Sequence, residues 1–437
     1  MPGGAPALIG RQSFNRPPRF ANRCMPTFAL AAIAVMCSGV IHPSISAEPM
    51  SDFVSREGTH FILDGKPFFV AGINNHYLTF GSPREVTLVL DDAVAMGANV
   101  VRTFIQPIIG SLDGTTKPTV WKWRSSADSS DLGVHGTYMF YWDARRGAMA
   151  ANEGANGLQR LDFLVSESRK RNLRLIITFL DFWKYAGGAQ QMLAWYQDGS
   201  FFLRDERTRN DYKQQGEDGS FFFRDERTRN DYKQLIRSVV ERINPLTGRA
   251  YKDEPAIFAW ELINEADIVQ PSSLVQNWVA EMSTYVKTLD SRHLVSSGFA
   301  NVYNRLLDIG IPTIDFGVWH GYPKYYNLTV DSFDRLIREF CDIGAAHNKP
   351  VLLEEFGYAR SNPDQVAAYR KWMTTIKEDP HCAGWLVWRL VSLQDSGRFP
   401  IDSYDQFDIH NDNSPIWRAM QESAKEMVQK DVNARRP

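Results

Sequence analysis

Cysteine is scarce in this chain: four in 437 residues, with no CxxC pair. That excludes a disulfide scaffold and argues against a structural zinc site. Net charge is almost absent, at −2 from 49 Lys+Arg against 51 Asp+Glu. With no basic block beyond scattered pairs, no nucleic-acid partner is expected. No glycine-rich loop follows any strand candidate, which speaks against a doubly wound nucleotide-binding sheet. There is no Gly-x-Ser-x-Gly elbow, and the nine histidines form no HxxxH or HxH array, so a serine nucleophile and a catalytic metal are both unsupported. Neither a cofactor nor a metal is expected.

Long apolar runs are also missing, with one exception. Residues 1–24 are rich in Pro, Gly and Arg; Met25 to Ile41 is then apolar, and small residues lead to Ala47-Glu48. A basic stretch, a short apolar core and small residues are the pattern of a cleaved secretory leader, expected to span residues 1–47. The apolar run is short for a bilayer and carries Thr, Ser and Gly. The expectation is a secreted or periplasmic protein without stable membrane insertion. Removal of the leader leaves Cys341 and Cys382; the reading favours two unpaired, buried cysteines. Asn327-Leu328-Thr329 is a glycosylation sequon.

What is abundant is alternation of short β-branched runs with amphipathic stretches. Strand candidates are Phe68–Asn74, Asn99–Phe104, Leu173–Phe179, Ala256–Ile263, His293–Gly298, Ile314–Trp319, Pro350–Glu355 and Ala383–Trp388. Most are continuously apolar, as parallel strands buried on both faces are. Helical spacing marks Pro83–Met96, Leu158–Arg171, Arg229–Ile243, Leu274–Leu289, Asp331–His347 and Pro363–Glu378. Eight strands alternating with helices predict a single α/β domain over residues 50–437, a (β/α)8 barrel.

Within it, Gly199–Gln214 and Gly219–Gln234 are near-identical copies, differing only at Leu203 against Phe223. Two charge-dense copies inside one connection are no solenoid. The first is expected to loop out on the surface, because only the second runs directly into a helix.

Catalytic groups of a barrel sit at the C-terminal ends of its strands. Those ends carry Asn74-Asn75-His76-Tyr77, Arg102, Asp181-Phe182-Trp183, Trp260-Glu261-Leu262-Ile263-Asn264-Glu265, Trp319-His320-Gly321-Tyr322, Glu354-Glu355 and Trp388-Arg389. Two carboxylates on opposite strands, ringed by Trp, His, Tyr, Arg and Asn, suit cleavage of a glycosidic bond. One carboxyl must donate a proton to the leaving oxygen; the other must be ionised to attack or to activate water. Twelve Trp fit this chemistry, since indole faces stack on sugar rings. Glu261, four residues before Glu265, is expected deeper in the barrel as a partner for Arg or His. Strand alternation predicts that only one of Glu354 and Glu355 reaches the barrel mouth.

The segment Ala259-Trp260-Glu261-Leu262-Ile263-Asn264-Glu265 resembles the strand-four signature of glycoside hydrolase family 5. Leu353-Glu354-Glu355-Phe356-Gly357 is similar to its strand-seven signature. The resemblance implies Glu265 as acid/base and Glu355 as nucleophile of a retaining double displacement. It further implies Arg102 beside the nucleophile, Asn264 at the sugar 2-hydroxyl, His320 and Tyr322 flanking the carboxylates, and Trp388 flooring the −1 subsite. Trp183 and Asn75 complete the expected substrate-binding set.

The run Thr178–Gly188 followed by Trp195, and Arg249–Pro255, resemble endo-β-1,4-mannanases. The implied substrate is a β-1,4-linked polysaccharide or oligosaccharide, mannan first. A cellulase, or another enzyme acting on β-1,4-glucan, and a silent carbohydrate-binding barrel are the alternatives, and a monomer is expected. Two departures stand out in the strand-three and strand-four segments: Asp181-Phe182-Trp183 where mannanases usually carry Asn-Trp, and Asn264-Glu265-Ala266-Asp267 where they carry Asn-Glu-Pro-Arg; a third is Arg389 after the floor tryptophan, where Gln is common.

Overall fold

The structure is a computed structural model that describes residues 52–116, 129–130, 132–196, 219–400 and 405–430. The expected leader (1–47) and the first copy of the duplicated segment (199–214) lie outside the described residues.

Eight parallel strands form one sheet: β1 (Val70–Asn74), β2 (Val100–Phe104), β3 (Arg174–Asp181), β4 (Ile257–Asn264), β5 (Leu294–Ser296), β6 (Gly317–Gly321), β7 (Val351–Phe356) and β8 (Gly384–Val387). Their order is β5-β4-β3-β2-β1-β8-β7-β6. At the remaining seam, Asp315 N donates to Val295 O (2.8 Å) and His320 N to Ala300 O (2.9 Å). The backbone thereby closes the barrel expected from the sequence. Gly72 on β1 leaves no room for a side chain, since a Cβ there would lie 2.7 Å from the Leu386 side chain and 2.9 Å from the Val100 carbonyl oxygen.

Among the described residues, seven helices of 13 to 18 residues cover the barrel: α1 (Pro83–Met96), α2 (Leu158–Lys170), α3 (Glu226–Val240), α4 (Ser272–Leu289), α5 (Val330–His347), α6 (Gln365–Glu378) and α7 (Pro415–Val428). Helix α1 shows how local sequence sets these elements. Ser82 and Glu85 form a reciprocal capping box, Pro83 starts the first turn, and Gly97 ends the helix in the left-handed region at φ 89°. Val86, Val89, Leu90, Ala93 and Met96 make its buried face. Between β5 and β6 the helix is reduced to a 3-10 turn, Leu307–Gly310. Helix α7 was not anticipated from the sequence.

Two apolar layers result. Val70, Val100, Ile176, Phe258, Val318, Leu352 and Leu386 fill the barrel interior. A larger layer lies between strands and helices. The antiparallel sheet Ser55–Glu57, His60–Leu63, Lys66–Phe68 precedes β1. Its Phe61 packs edge-on against Phe258 (4.9 Å) and Phe316 (5.2 Å), plugging the barrel interior from the end opposite the strand C-termini.

The second copy of the duplicated segment is part of this core. Phe222, Phe223 and Tyr232 are buried, and Phe223 sits edge-on to Trp278 at 5.2 Å.

The cysteine expectation is overturned. Cys341 on α5 and Cys382 before β8 form a disulfide, with Cα atoms 5.0 Å apart. Their separation of 41 residues conceals a proximity that exists only once α5 packs beside the entry to β8. Replacing both by alanine should lower the unfolding free energy by about 3–4 kcal/mol, as expected for a closed loop of roughly 40 residues. Chemical denaturation of the double variant against the parent checks this; equal midpoints and slopes would contradict it.

Candidate active site

The inward phase of each strand is set by its apolar residue in the barrel interior, and counting onward in steps of two reaches the mouth. Val70 leads to Asn74, Val100 to Arg102, Ile176 to Thr178, Val318 to His320, Leu352 to Glu354 and Leu386 to Trp388. Glu355 is out of phase with Leu352. It joins the interior through a register shift between β6 and β7, where Trp319 pairs with Leu353 and His320 with Glu355. The extra residue lets both Glu354 and Glu355 face inward. Both contact Arg102 and His320, so the opposite facing that strand alternation predicts for the two is corrected, the bulge being the reason.

Arg102 is fully buried, and all of its nitrogens are engaged. Nε donates to Glu261 Oε1 (2.9 Å) and Oε2 (3.1 Å), Nη1 to Asn74 Oδ1 (3.1 Å) and Glu355 Oε1 (2.5 Å), and Nη2 to Glu261 Oε1 and Asn264 Oδ1 (2.9 Å). Burial alone would lower its pKa, but the charges of Glu261, Glu354 and Glu355 more than reverse that. Glu261 is the buried arginine partner that the sequence suggested, and it also accepts from Thr178 Oγ1 (2.6 Å).

Glu265 ends β4 with φ 53°, a left-handed conformation that costs a non-glycine residue energy and turns its side chain toward the cleft. Its Oε2 accepts from Trp183 Nε1 (2.7 Å), and its Oε1 lies 2.9 Å from His320 Nδ1. Burial would lower the pKa of His320. The charge of Glu355 and hydrogen bonds with Glu265 and Glu354 outweigh burial and raise it to about 10. Both ring nitrogens face carboxyl oxygens, of Glu265 and of Glu354, an arrangement that suits an imidazolium donating from both.

Glu355 Oε2 accepts from Tyr322 Oη (2.5 Å). Burial pushes the Glu355 carboxyl up, while His320 and Arg102 pull it down and Glu265 pushes it up. Tyr322 is itself backed by Phe407, stacked at 5.3 Å and 9°. Glu265, His320 and Glu355 offer donor atoms within 4.8 Å of one another; each is already engaged by Arg102, Tyr322, Trp183 or Glu354.

Of the expected site residues, Glu265, Glu355, Arg102, Asn264, His320, Tyr322 and Trp183 meet in this one network. Trp388 follows β8, half-buried, with its ring edge-on to Phe104 at 6.3 Å. Asn75 does not belong to the cleft. It is fully buried, with Nδ2 donating to Leu390 O (2.9 Å) and Oδ1 accepting from Tyr77 N (2.9 Å). Both ends of its amide are engaged with backbone groups.

Four contributors escaped the sequence reading as site residues. Asn74 braces Arg102 and donates to Glu354 O (2.8 Å). Asp181 accepts from Asn264 Nδ2 (3.0 Å) and Trp183 N (3.1 Å), and burial raises its carboxyl to about 7. Asp267 accepts from the backbone N–H groups of Ala300 (3.1 Å) and Asn301 (2.9 Å) and from Asn304 Nδ2. It thereby staples the loop after β4 to the loop after β5. Phe407 comes from beyond β8. Asn74 and Asp181 were visible at strand ends and Asp267 as a departure from the mannanase pattern; Phe407 had no local signal.

Comparison with known proteins follows from this geometry. Residues 150–383 match the family model described as glycoside hydrolase family 5 β-mannosidase-like. The chain belongs to glycoside hydrolase family 5. This family 5 chain is 30% identical over 371 residues to mannan endo-1,4-β-mannosidase A of Aspergillus aculeatus, covering 80% of this chain and 85% of the relative. The crystal structure of the endo-1,4-β-mannanase from Rhizomucor miehei superposes with a TM-score of 0.70 at 26% identity, covering 87% of this chain and all of that one. The endo-1,4-β-D-mannanase of Thermotoga petrophila RKU-1 gives 0.65 at 27% identity, with 82% and 99% coverage. The family 5 protein is a glycoside hydrolase.

In this glycoside hydrolase Tyr322→Phe removes a charge-assisted bond to Glu355 and leaves the ring packing intact. Such a bond contributes about 1.5–3 kcal/mol, so kcat should fall roughly 10- to 100-fold with an unchanged melting temperature. Steady-state kinetics beside a thermal melt test this, and unchanged kcat would remove Tyr322 from the machinery.

Proposed function

We propose that the protein is an exported endo-acting enzyme that hydrolyses internal β-1,4-mannosidic bonds with retention of configuration. The observation that carries the stereochemical part is the spacing of the two carboxyl groups. Glu265 and Glu355 have oxygens no more than 4.8 Å apart. Retaining glycosidases hold their carboxyl groups about 5–5.5 Å apart, whereas inverting ones leave about 6.5–9.5 Å for a water.

In the glycosylation step a Glu355 oxygen attacks the anomeric carbon, and the bond to the leaving oxygen breaks as Glu265 gives that oxygen its proton. In the second step Glu265 takes a proton from water, whose oxygen displaces Glu355 from the anomeric carbon. Arg102 and Tyr322 hold the Glu355 carboxylate by one oxygen each. His320 and Trp183 orient Glu265. Asn264, fixed between Arg102 and Asp181, is placed to meet the 2-hydroxyl, and Trp388 supplies the apolar floor.

Mannan as substrate is supported by the mannanase names of the relatives and of the solved structures above. Export is supported by the leader-like N-terminus and by the Cys341–Cys382 disulfide, a bond that persists in oxidising compartments. No described helix is long and apolar enough to cross a membrane.

The carboxylate roles separate by substrate. Glu265→Gln should slow linear mannan by about 10²–10⁴-fold, the usual range for a lost general acid, yet spare glycosylation by aryl mannosides with good leaving groups. Equal losses on both would contradict the acid/base role. Glu355→Gln should abolish turnover of both while retaining mannan binding. Reducing-sugar release from linear mannan, galactomannan, carboxymethyl-cellulose and xylan tests the substrate. Activity confined to cellulose would keep the mechanism and overturn mannan, and binding without release by the parent enzyme would favour a silent barrel. The anomer formed first, followed by NMR, should be β; an α product would refute retention.

A further inference from the structure

We propose that Glu354 is a positioning residue that works as a neutral carboxylic acid, holding His320 and Arg102 in place between the two catalytic carboxyl groups. The inference rests on the roles given above to Glu265 and Glu355.

Glu354 touches one partner of each catalytic group. Its Oε2 lies 3.3 Å from His320 Nε2, whose ring holds Glu265, and 3.4 Å from Arg102 Nε, whose guanidinium holds Glu355. Glu354 is fully buried, and its Oε1 meets no donor. Glu261, equally buried on the same guanidinium, accepts two bonds from Arg102 Nε, a third from Nη2 and one from Thr178. Glu261 and Glu354 both lie against Arg102 Nε, and two like charges this close disfavour each other, so one of the two carboxyl groups is the better place for a proton. Glu261 has the donors that an anion needs. Glu354, with an orphan oxygen, does not, so the proton belongs to Glu354.

Charge counting leads to the same place. Arg102 and the His320 imidazolium are positive; Glu261 and Glu355 are negative. With Glu265 and Glu354 protonated, this buried cluster is neutral. It stays neutral through glycosylation, because Glu265 becomes an anion as the Glu355 charge is spent in the new bond. An ionised Glu354 would leave a net negative charge on the cluster throughout, in a barrel interior that solvates charge poorly.

The ionisable groups facing Glu354 are Arg102 on β2, Glu261 on β4, His320 on β6 and Glu355 on its own strand. Asp181 on β3 enters through Asn264. From β1 only the Asn74 amide reaches it, through the Glu354 carbonyl. Burial, then the charge of Glu261, moves the Glu354 carboxyl up to about 8, against the pull of Arg102 and His320.

The test compares Glu354→Gln and Glu354→Ala in the full-length enzyme, with kcat/KM on linear mannan across the pH range. Gln reproduces the shape and neutrality of the acid, so it should stay within about threefold of the parent at the optimum, whereas Ala should lose about tenfold or more. In the parent, ionisation of Glu354 should add to the alkaline fall in rate, and Glu354→Gln should carry the rate to higher pH. Gln as damaging as Ala, or an alkaline limb that Gln leaves unmoved, would overturn the proposal. An infrared difference spectrum of parent minus Glu354→Gln in the optimum range should show a buried carboxylic-acid carbonyl band. A carboxylate band there would overturn the proposal even if neither variant turned over. Failure of the underlying reading is separate: it would appear as turnover by Glu355→Gln, which leaves the infrared result untouched.

Discussion

A guanidinium with no water around it is the constraint on which this structure depends. Arg102 sits on β2 in the barrel interior, where an unpaired charge would be prohibitive. Its donors therefore have to be met by side chains that converge from other strands. Asn74 comes from β1, Glu261 and Asn264 from β4, and Glu355 from β7. A planar, rigid fork of this kind fixes not only that these groups are near but in which direction each faces. The Glu355 carboxylate is thus oriented by a fully buried group.

From Arg102 the order propagates to Glu265. Glu261 and Glu354 share the arginine, Glu354 meets His320, and His320 meets Glu265. The arrangement is tolerable because positive and negative charges balance at close range in a poorly solvating interior. The same closeness makes the site a single unit, in which the protonation of one member depends on the others. That is the physical content of a raised His320 pKa beside raised carboxyl groups at Glu354, Glu355 and Asp181.

The strand-three and strand-four departures from the mannanase pattern have structural uses. At 267, where the resemblance leads one to look for Arg, Asp267 caps the backbone of the loop after β5 and ties it to the acid/base strand. At 181, an acid instead of an amide takes the Asn264 and Trp183 N–H groups. It keeps Asn264 from rotating away from Arg102. Both changes add a carboxyl group near Glu265 without adding a cation.

Much of this molecule was legible in the sequence. Continuous apolar runs and helical spacing gave all eight strands and six helices, because parallel strands buried on both faces leave a local compositional trace. The strand ends carried Glu265, Glu355, Arg102, His320 and Tyr322 in plain view, since barrel chemistry collects there. Tertiary structure alone decided the rest. The bulge that turns both Glu354 and Glu355 inward depends on the register of β6 against β7, which neither strand encodes by itself. Asn75 looked as eligible as Asn74 until packing showed which of the two faces Arg102. Cys341 and Cys382 meet only through helix packing, and Phe407 reaches Tyr322 from beyond the last strand. Sequence determines which groups exist and where along each strand they fall. Which of them share a proton or a charge is set by distances across the closed barrel.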